Sequence, residues 1–325
     1  MKLERKARMI SLGTVELPKT FRPSGPVSTA GPGAGERNVF FRSGKGRVRL
    51  TAADSSPLKL EEIDGGEVAI LEEGVEVARG VLETPLLHCP RQAYITVSER
   101  CIYDCKFCAV PKLSGGVKSK ETVLEMVAKA DDTGELEAIS LTSGVERSPE
   151  EEVERVADIV KDLCRFDVPI GVSVTPAKRS SEILKVAGAD EIKYNVECLD
   201  PELFIKVCPD VSLMKIKTAL EKAVGIFGEN KVFSNVIIGL GESDRALQAG
   251  IEELAGMGVL PVLRAVYPHP LRAGEVEMVR PSPERLVDLA RRLKRVLDDH
   301  GLRGDAAETG CYRCTGCDLI PHRDL

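Results

Sequence analysis

The sequence has no tryptophan, only 4% aromatic residues and just four histidines in 325 residues. His88, His269, His300 and His322 accompany no recognisable nucleophile motif, so a histidine-driven hydrolase has no support. No run of about 18 uninterrupted apolar residues occurs, and a membrane-spanning helix is not expected. Positive surplus is lacking as well: 45 Lys and Arg against 51 Asp and Glu leave a net charge of -6. Binding to nucleic acid or an acidic membrane as a main activity is therefore not expected. The opening MKLERKARMI runs into SLGTVELPKT without an apolar signal core, so export is not expected and a cytoplasmic setting follows.

What is present is 43% hydrophobic and 30% charged residues, the balance of a globular chain. Ten cysteines are too few for a disulfide scaffold, and six fall in two tight clusters. In a reducing compartment such clusters point to metal or iron–sulfur ligation.

Residues 1–90 are first rich in Gly, Pro and Ser and then alternate apolar and polar residues in short runs, which predicts a small, mostly antiparallel β-rich extension. From Tyr94 the texture changes. Apolar runs (YITV, EAISLTS, PIGVSVT, DEIKYNVE, VFSNVIIG, VLPVLRAVY) alternate with amphipathic stretches opened by Ser, Thr or Asp and mostly closed by Gly. Six such alternations predict an α/β fold, a (β/α)6 partial barrel over 91–300 whose chemistry sits at the C-terminal ends of its strands. A Cys-rich tail, 301–325, follows the last helix.

Just past the first barrel strand, Cys101, Cys105 and Cys108 form a C-x3-C-x2-C loop. Three thiolates so spaced hold three irons of a 4Fe-4S cube and leave the fourth open to an outside ligand. A zinc knuckle or a redox thiol pair is the plainer alternative. With Phe107 before the last cysteine and the βα units behind it, the loop resembles that of the radical S-adenosylmethionine (radical SAM) superfamily, over about 94–300. The resemblance implies a 4Fe-4S cluster that chelates S-adenosyl-L-methionine, and a 5'-deoxyadenosyl radical that abstracts a substrate hydrogen.

It also implies cofactor contacts elsewhere. Thr142, Ser143 and Gly144 occupy the place of the turn that meets the methionyl amino group. Asn195 and Glu197, in KYNVE, resemble the biotin synthase pattern, alternating onto one face of the fourth strand toward the cofactor or the substrate. Gly239 and Gly241, before Glu242, match the glycine motif near the adenine, and Ala265 and Val266 would give it backbone contacts. Arg264 or Tyr267 would face the substrate. Lys193, Arg264 and Arg272 are candidate anion binders or merely solvated. The branch most resembled is that of the biotin and lipoyl synthases, although Cys164, Cys198 and Cys208 do not reproduce biotin synthase's second ligand set, and Cys164 reads as a small core residue.

Near the end, Cys311, Cys314 and Cys317 form C-x2-C-x2-C, read as the ligand triad of a second Fe-S cluster, with a structural zinc as the alternative. His322, Cys89 or the substrate would be the fourth ligand, and the tail could cross either barrel end. The resulting expectation is a radical SAM enzyme inserting sulfur into a small-molecule or protein-bound substrate. Methylation, rearrangement or oxidation stands second, and a non-enzymatic Fe-S electron carrier or zinc-stabilised interaction protein third. A reductant such as ferredoxin or flavodoxin, and a second radical SAM subunit, are the partners this resemblance admits.

Overall fold

The computed structural model describes residues 1–19, 21 and 37–325. Its first part is a closed barrel of six strands, β1 (Thr14–Glu16), β2 (Asn38–Ser43), β3 (Gly46–Ala53), β4 (Leu58–Glu62), β5 (Val68–Glu72) and β6 (Val75–Glu83). Most pairings are antiparallel, but the short β1 runs parallel to both β3 and β4 and closes the sheet. Alternation fills the barrel with Val39, Phe41, Val48, Leu50, Leu58, Leu60 and Ile70. Helix α1 (Leu3–Leu12), which period-two patterning does not reveal, packs Ala7, Met9 and Ile10 into the same core. Much of the stretch rich in Gly, Pro and Ser, 22–36, lies outside the described residues.

A separate six-stranded sheet carries the rest: β7 (Gln92–Thr96), β8 (Ala138–Thr142), β9 (Ile170–Ser173), β10 (Glu191–Lys193), β11 (Val232–Ile238) and β12 (Leu260–Ala265). Its neighbours follow chain order and all pairs are parallel. Parallel neighbours need long crossovers. These are α2 (Lys120–Asp131), α3 (Pro149–Leu163), α4 (Ser180–Ala187), α5 (Pro201–Val207) with α6 (Leu213–Phe227), and α7 (Asp244–Gly256); α8 (Pro283–Asp299) follows β12. Ser119, Ser148, Ser212, Ser243 and Ser282 cap α2, α3, α6, α7 and α8 by accepting a backbone N–H of the first turn. Among the described residues no helix is long and apolar enough to cross a membrane.

The tail, with the short helix α9 (Gly310–Cys314), docks at the strand N-termini. Gly310 N–H donates to Gln92 Oε1 (2.8 Å) at the start of β7 and to Ser140 Oγ (3.0 Å) of β8. Glu191, at the start of β10 and 1% exposed, accepts from the backbone of Glu308 and Thr309 and from the Thr309 hydroxyl. Gly171 lacks a side chain because a Cβ there would stand 2.0 Å from Thr309 Oγ1. The tail's other side meets the closed barrel: Arg49 N–H donates to Gly316 O, Arg47 Nη1 to Cys314 O, and Lys6 pairs with Asp324 at 2.7 Å.

Candidate active site

Beyond β7 the chain turns into the Cys101 loop over the C-terminal ends of the strands. A cavity of about 210 Å3 opens there, lined by Cys101, Cys105 and Cys108, by Phe107, by Thr142, Ser143 and Gly144 after β8, and by Asn195 and Glu197 after β10. The cofactor candidates singled out in sequence thus divide: these meet the three thiols, whereas Gly239, Gly241, Ala265 and Val266 are absent from that lining. Gly239 and Gly241 adopt positive φ in a turn whose backbone N–H groups are held by Glu242, and Ala265 packs in the closed-barrel core.

Strand alternation does not bring Asn195 and Glu197 together, because β10 ends at Lys193 and Glu197 sits at φ +58°. A hydrogen bond between their side chains does. Burial pushes the Glu197 carboxyl up to about 7 against the pull of Lys193, Arg264 and Asn195.

Several groups with no motif signature fix the loop. Glu152 on α3, 2% exposed, accepts from Ser98 Oγ at 2.6 Å and from Ser143 Oγ, and pairs with Arg155 at 3.2 Å. Ser143 Oγ in turn accepts from Ser98 N–H, so the turn after β8 is tied to the end of β7. Arg272, read in sequence as an anion binder or a solvated residue, is fully buried instead. It donates to Cys108 O (2.6 Å) and pairs with Asp104 (2.7 Å) and Glu275 (2.8 Å). Hydrogen bonds from Lys106 and Arg272 hold the Asp104 carboxyl down at about 2.

The donor chemistry suits an iron–sulfur cluster. Burial raises the Cys101 thiol, offset by N–H groups of Val145 and Tyr103, and pushes Cys108 up to about 12, offset by that of Val110. Thiols so buried ionise on binding metal, and N–H···S bonds are ready for the thiolates. Cys208, at the end of α5 and 2% exposed, lines the same cavity and shares a side-chain hydrogen bond with Cys105 that, with burial, raises its own thiol strongly. Only tertiary structure brings it there. Cys164 caps α3 and is exposed, not a core residue.

The second triad lies elsewhere. Cys311, Cys314 and Cys317 line a cavity with Cys89, His88, Arg49, Tyr94 and Arg264. The backbone of the tail is bound at Gln92, at the start of β7, and at about 3.3 Å per residue the strand rises about 13 Å from there to Thr96, beyond which the Cys101 loop begins. Lys193 and Arg264 are not solvated: Lys193 shares a hydrogen bond with Tyr94, and Arg264 pairs with Asp318 at 2.6 Å. His322, a candidate fourth ligand, is occupied by Asp298 (2.8 Å) and the Gly304 N–H (3.1 Å). Among the described residues no group of three or more His, Cys, Asp or Glu stands in an arrangement that would hold a single metal ion.

Residues 95–254 match the family model of the Radical SAM superfamily. No curated protein sequence matches the chain. Among solved structures the chain is similar to methylornithine synthase (PylB), at 17% identity over 62% of this chain and 61% of that one, TM-score 0.54. It is also similar to the FeFe-hydrogenase maturase HydG from Carboxydothermus hydrogenoformans, at 19% identity over 64% and 52%, TM-score 0.52. A third is Streptococcus suis SuiB bound to precursor peptide SuiA, at 13% identity over 67% and 48%, TM-score 0.53. At such identities the likeness concerns the fold, and it spans about half to three fifths of those chains.

Proposed function

On the premise that residues 95–254 are a radical SAM superfamily domain, we propose that the chain is an enzyme that functionalises an unreactive C–H bond. The observation that carries this reading is the convergence of Cys101, Cys105 and Cys108 with Thr142–Gly144, Asn195 and Glu197 on one cavity at the strand C-termini. Cys101, Cys105 and Cys108 would hold a 4Fe-4S cluster and the cavity S-adenosylmethionine, together supplying a hydrogen-abstracting radical. The chain's own residues position and shield. The Ser98–Glu152–Ser143 network fixes the turn facing the thiols, Arg272 clamps the loop backbone, and the tail closes the far end of the barrel against water.

Beside this cavity, sharing Tyr103, Thr175, Pro176, Val211 and Ile216 with it, runs a groove of about 810 Å3. It gives a small-molecule or protein-tethered substrate a lateral way in. Glu197, with Lys193 behind it, is the polar group the substrate would meet. The biotin and lipoyl synthase-like branch, and sulfur insertion with it, find no support in the family match or the structural likenesses. C–H chemistry such as rearrangement, oxidation or methylation needs no sulfur donor and stands as the proposed reaction class. A low-potential one-electron donor of the ferredoxin or flavodoxin kind is required, and ten free thiols suit a reducing cytoplasm.

Anaerobic reconstitution with iron and sulfide, followed by S-adenosylmethionine and dithionite, should release 5'-deoxyadenosine. The Cys101→Ala/Cys105→Ala/Cys108→Ala variant should release none. A wild type that binds iron in this loop yet yields no 5'-deoxyadenosine refutes the reading.

A further inference from the structure

We propose that Cys89, Cys311, Cys314 and Cys317 form a second, complete iron–sulfur site in which all four irons are held by protein thiolates. Cys89 belongs to LLHCP before β7, far in sequence from the tail, yet it packs with Phe40 and Cys314 in one buried cluster. It shares a side-chain hydrogen bond with Cys314. All four cysteines line a single cavity.

The surroundings call for a group of negative charge. Arg49 lines this cavity, and its Nε and Nη2 are buried without a hydrogen-bond partner among the described residues. Leaving two guanidinium N–H groups dry and unpaired is costly unless an acceptor belongs there. Arg264 Nη2 stands 3.0 Å from Cys311 Sγ, and Arg47 donates to Cys314 O. A cluster ligated by four thiolates is an anion whose sulfides accept such N–H groups. A single zinc ion draws its thiolates to about 2.3 Å and offers no sulfide to Arg49.

Complete ligation has a consequence for the chemistry. With Cys89 in the fourth place, no iron is left open for substrate. Its role is to carry electrons and to pin the tail to the closed barrel and the parallel sheet, with Lys193 close enough to feel both Cys311 and Glu197.

This inference stands apart from the reading of the Cys101 loop, and the experiment separates them. The full-length Cys101→Ala/Cys105→Ala/Cys108→Ala variant, reconstituted anaerobically, should keep about four irons per chain, against about eight in the wild type. In that background Cys89→Ser should lose iron or convert to a three-iron species visible by EPR, whereas His88→Ala should keep about four. Arg49→Lys should move the reduction potential of the retained cluster while leaving the iron count unchanged. Zinc in place of iron, or a Cys89→Ser variant with an unaltered iron count and EPR spectrum, overturns the proposal. Circular dichroism on each variant separates ligand loss from unfolding, and a folded Cys311→Ala variant with an unaltered iron count and EPR spectrum overturns the proposal too. Failure to form 5'-deoxyadenosine in the wild type, with about four irons still held by the triple variant, would sink only the reading of the Cys101 loop.

Discussion

Cys208 shares a side-chain hydrogen bond with Cys105, placing a fourth sulfur beside the triad of the Cys101 loop. The same segment holds the loop backbone: Lys106 N–H donates to Val207 O at 2.8 Å, and Asp104 N–H to Asp210 Oδ2 at 3.0 Å. Cys105 and burial both raise the Cys208 thiol, and Cys208, at the end of α5 and outside the three-cysteine loop, is placed as an S–H donor to the sulfur beside it. Hydrogen bonds to cluster sulfurs raise the reduction potential. Cys208→Ala should therefore leave iron content unchanged and shift the potential of that cluster to more negative values in an EPR-monitored titration. Loss of iron from this site on substitution would instead make Cys208 a ligand.

Arg272 fastens Cys108 O from a loop more than a hundred residues away. Arg272→Ala removes that donor and the partner of Asp104 and Glu275, a loss of about 1–3 kcal/mol for a charged, buried hydrogen-bonding group. Iron in the Cys101 loop should then pass to a chelator several-fold faster, with tail iron unaffected. Equal release rates in the two proteins would show that the loop is held by other contacts.

Glu191 gathers Glu308 and Thr309 at the foot of β10. Glu191→Ala leaves those donors unpaired and should cost about 3 kcal/mol, since each buried unsatisfied group costs about 1–3 kcal/mol. Amide hydrogen exchange at 308–314 should rise first, before that of β7 or β8. Uniform exchange across the sheet would mean the tail is not separately anchored by this carboxylate.

Glu197 carries a pH dependence. Its folded-state pKa, about 7, lies above the ordinary carboxylate value, so the native state binds its proton more tightly than the unfolded chain. The favourable contribution of the protonated form is present at acid pH and is lost as pH rises from the carboxylate range through about 7. Glu197→Gln keeps the neutral form throughout. Its melting temperature relative to wild type should climb by several degrees between pH 5 and pH 8, because each tenfold difference in proton affinity between the folded and unfolded chain is worth about 1.4 kcal/mol. A constant difference across that range would show that Glu197 is not raised.

The parallel sheet and the first thiol triad were legible in the chain itself, for a local reason. Continuous apolar runs and serine-capped amphipathic stretches are set by neighbours in sequence, and three cysteines within eight positions must share a loop. The residues Thr142, Ser143 and Gly144 could likewise be placed at a strand end. By contrast, Cys208, Arg272, Glu152, Arg49 and Cys89 become neighbours of thiols only through long-range packing, which periodicity does not encode. The side of the barrel that receives the tail was decided the same way, by buried acceptors on Gln92 and Glu191 that Thr309 and Gly310 satisfy. A backbone donor must find its partner wherever the fold brings one, and that place is a property of three dimensions.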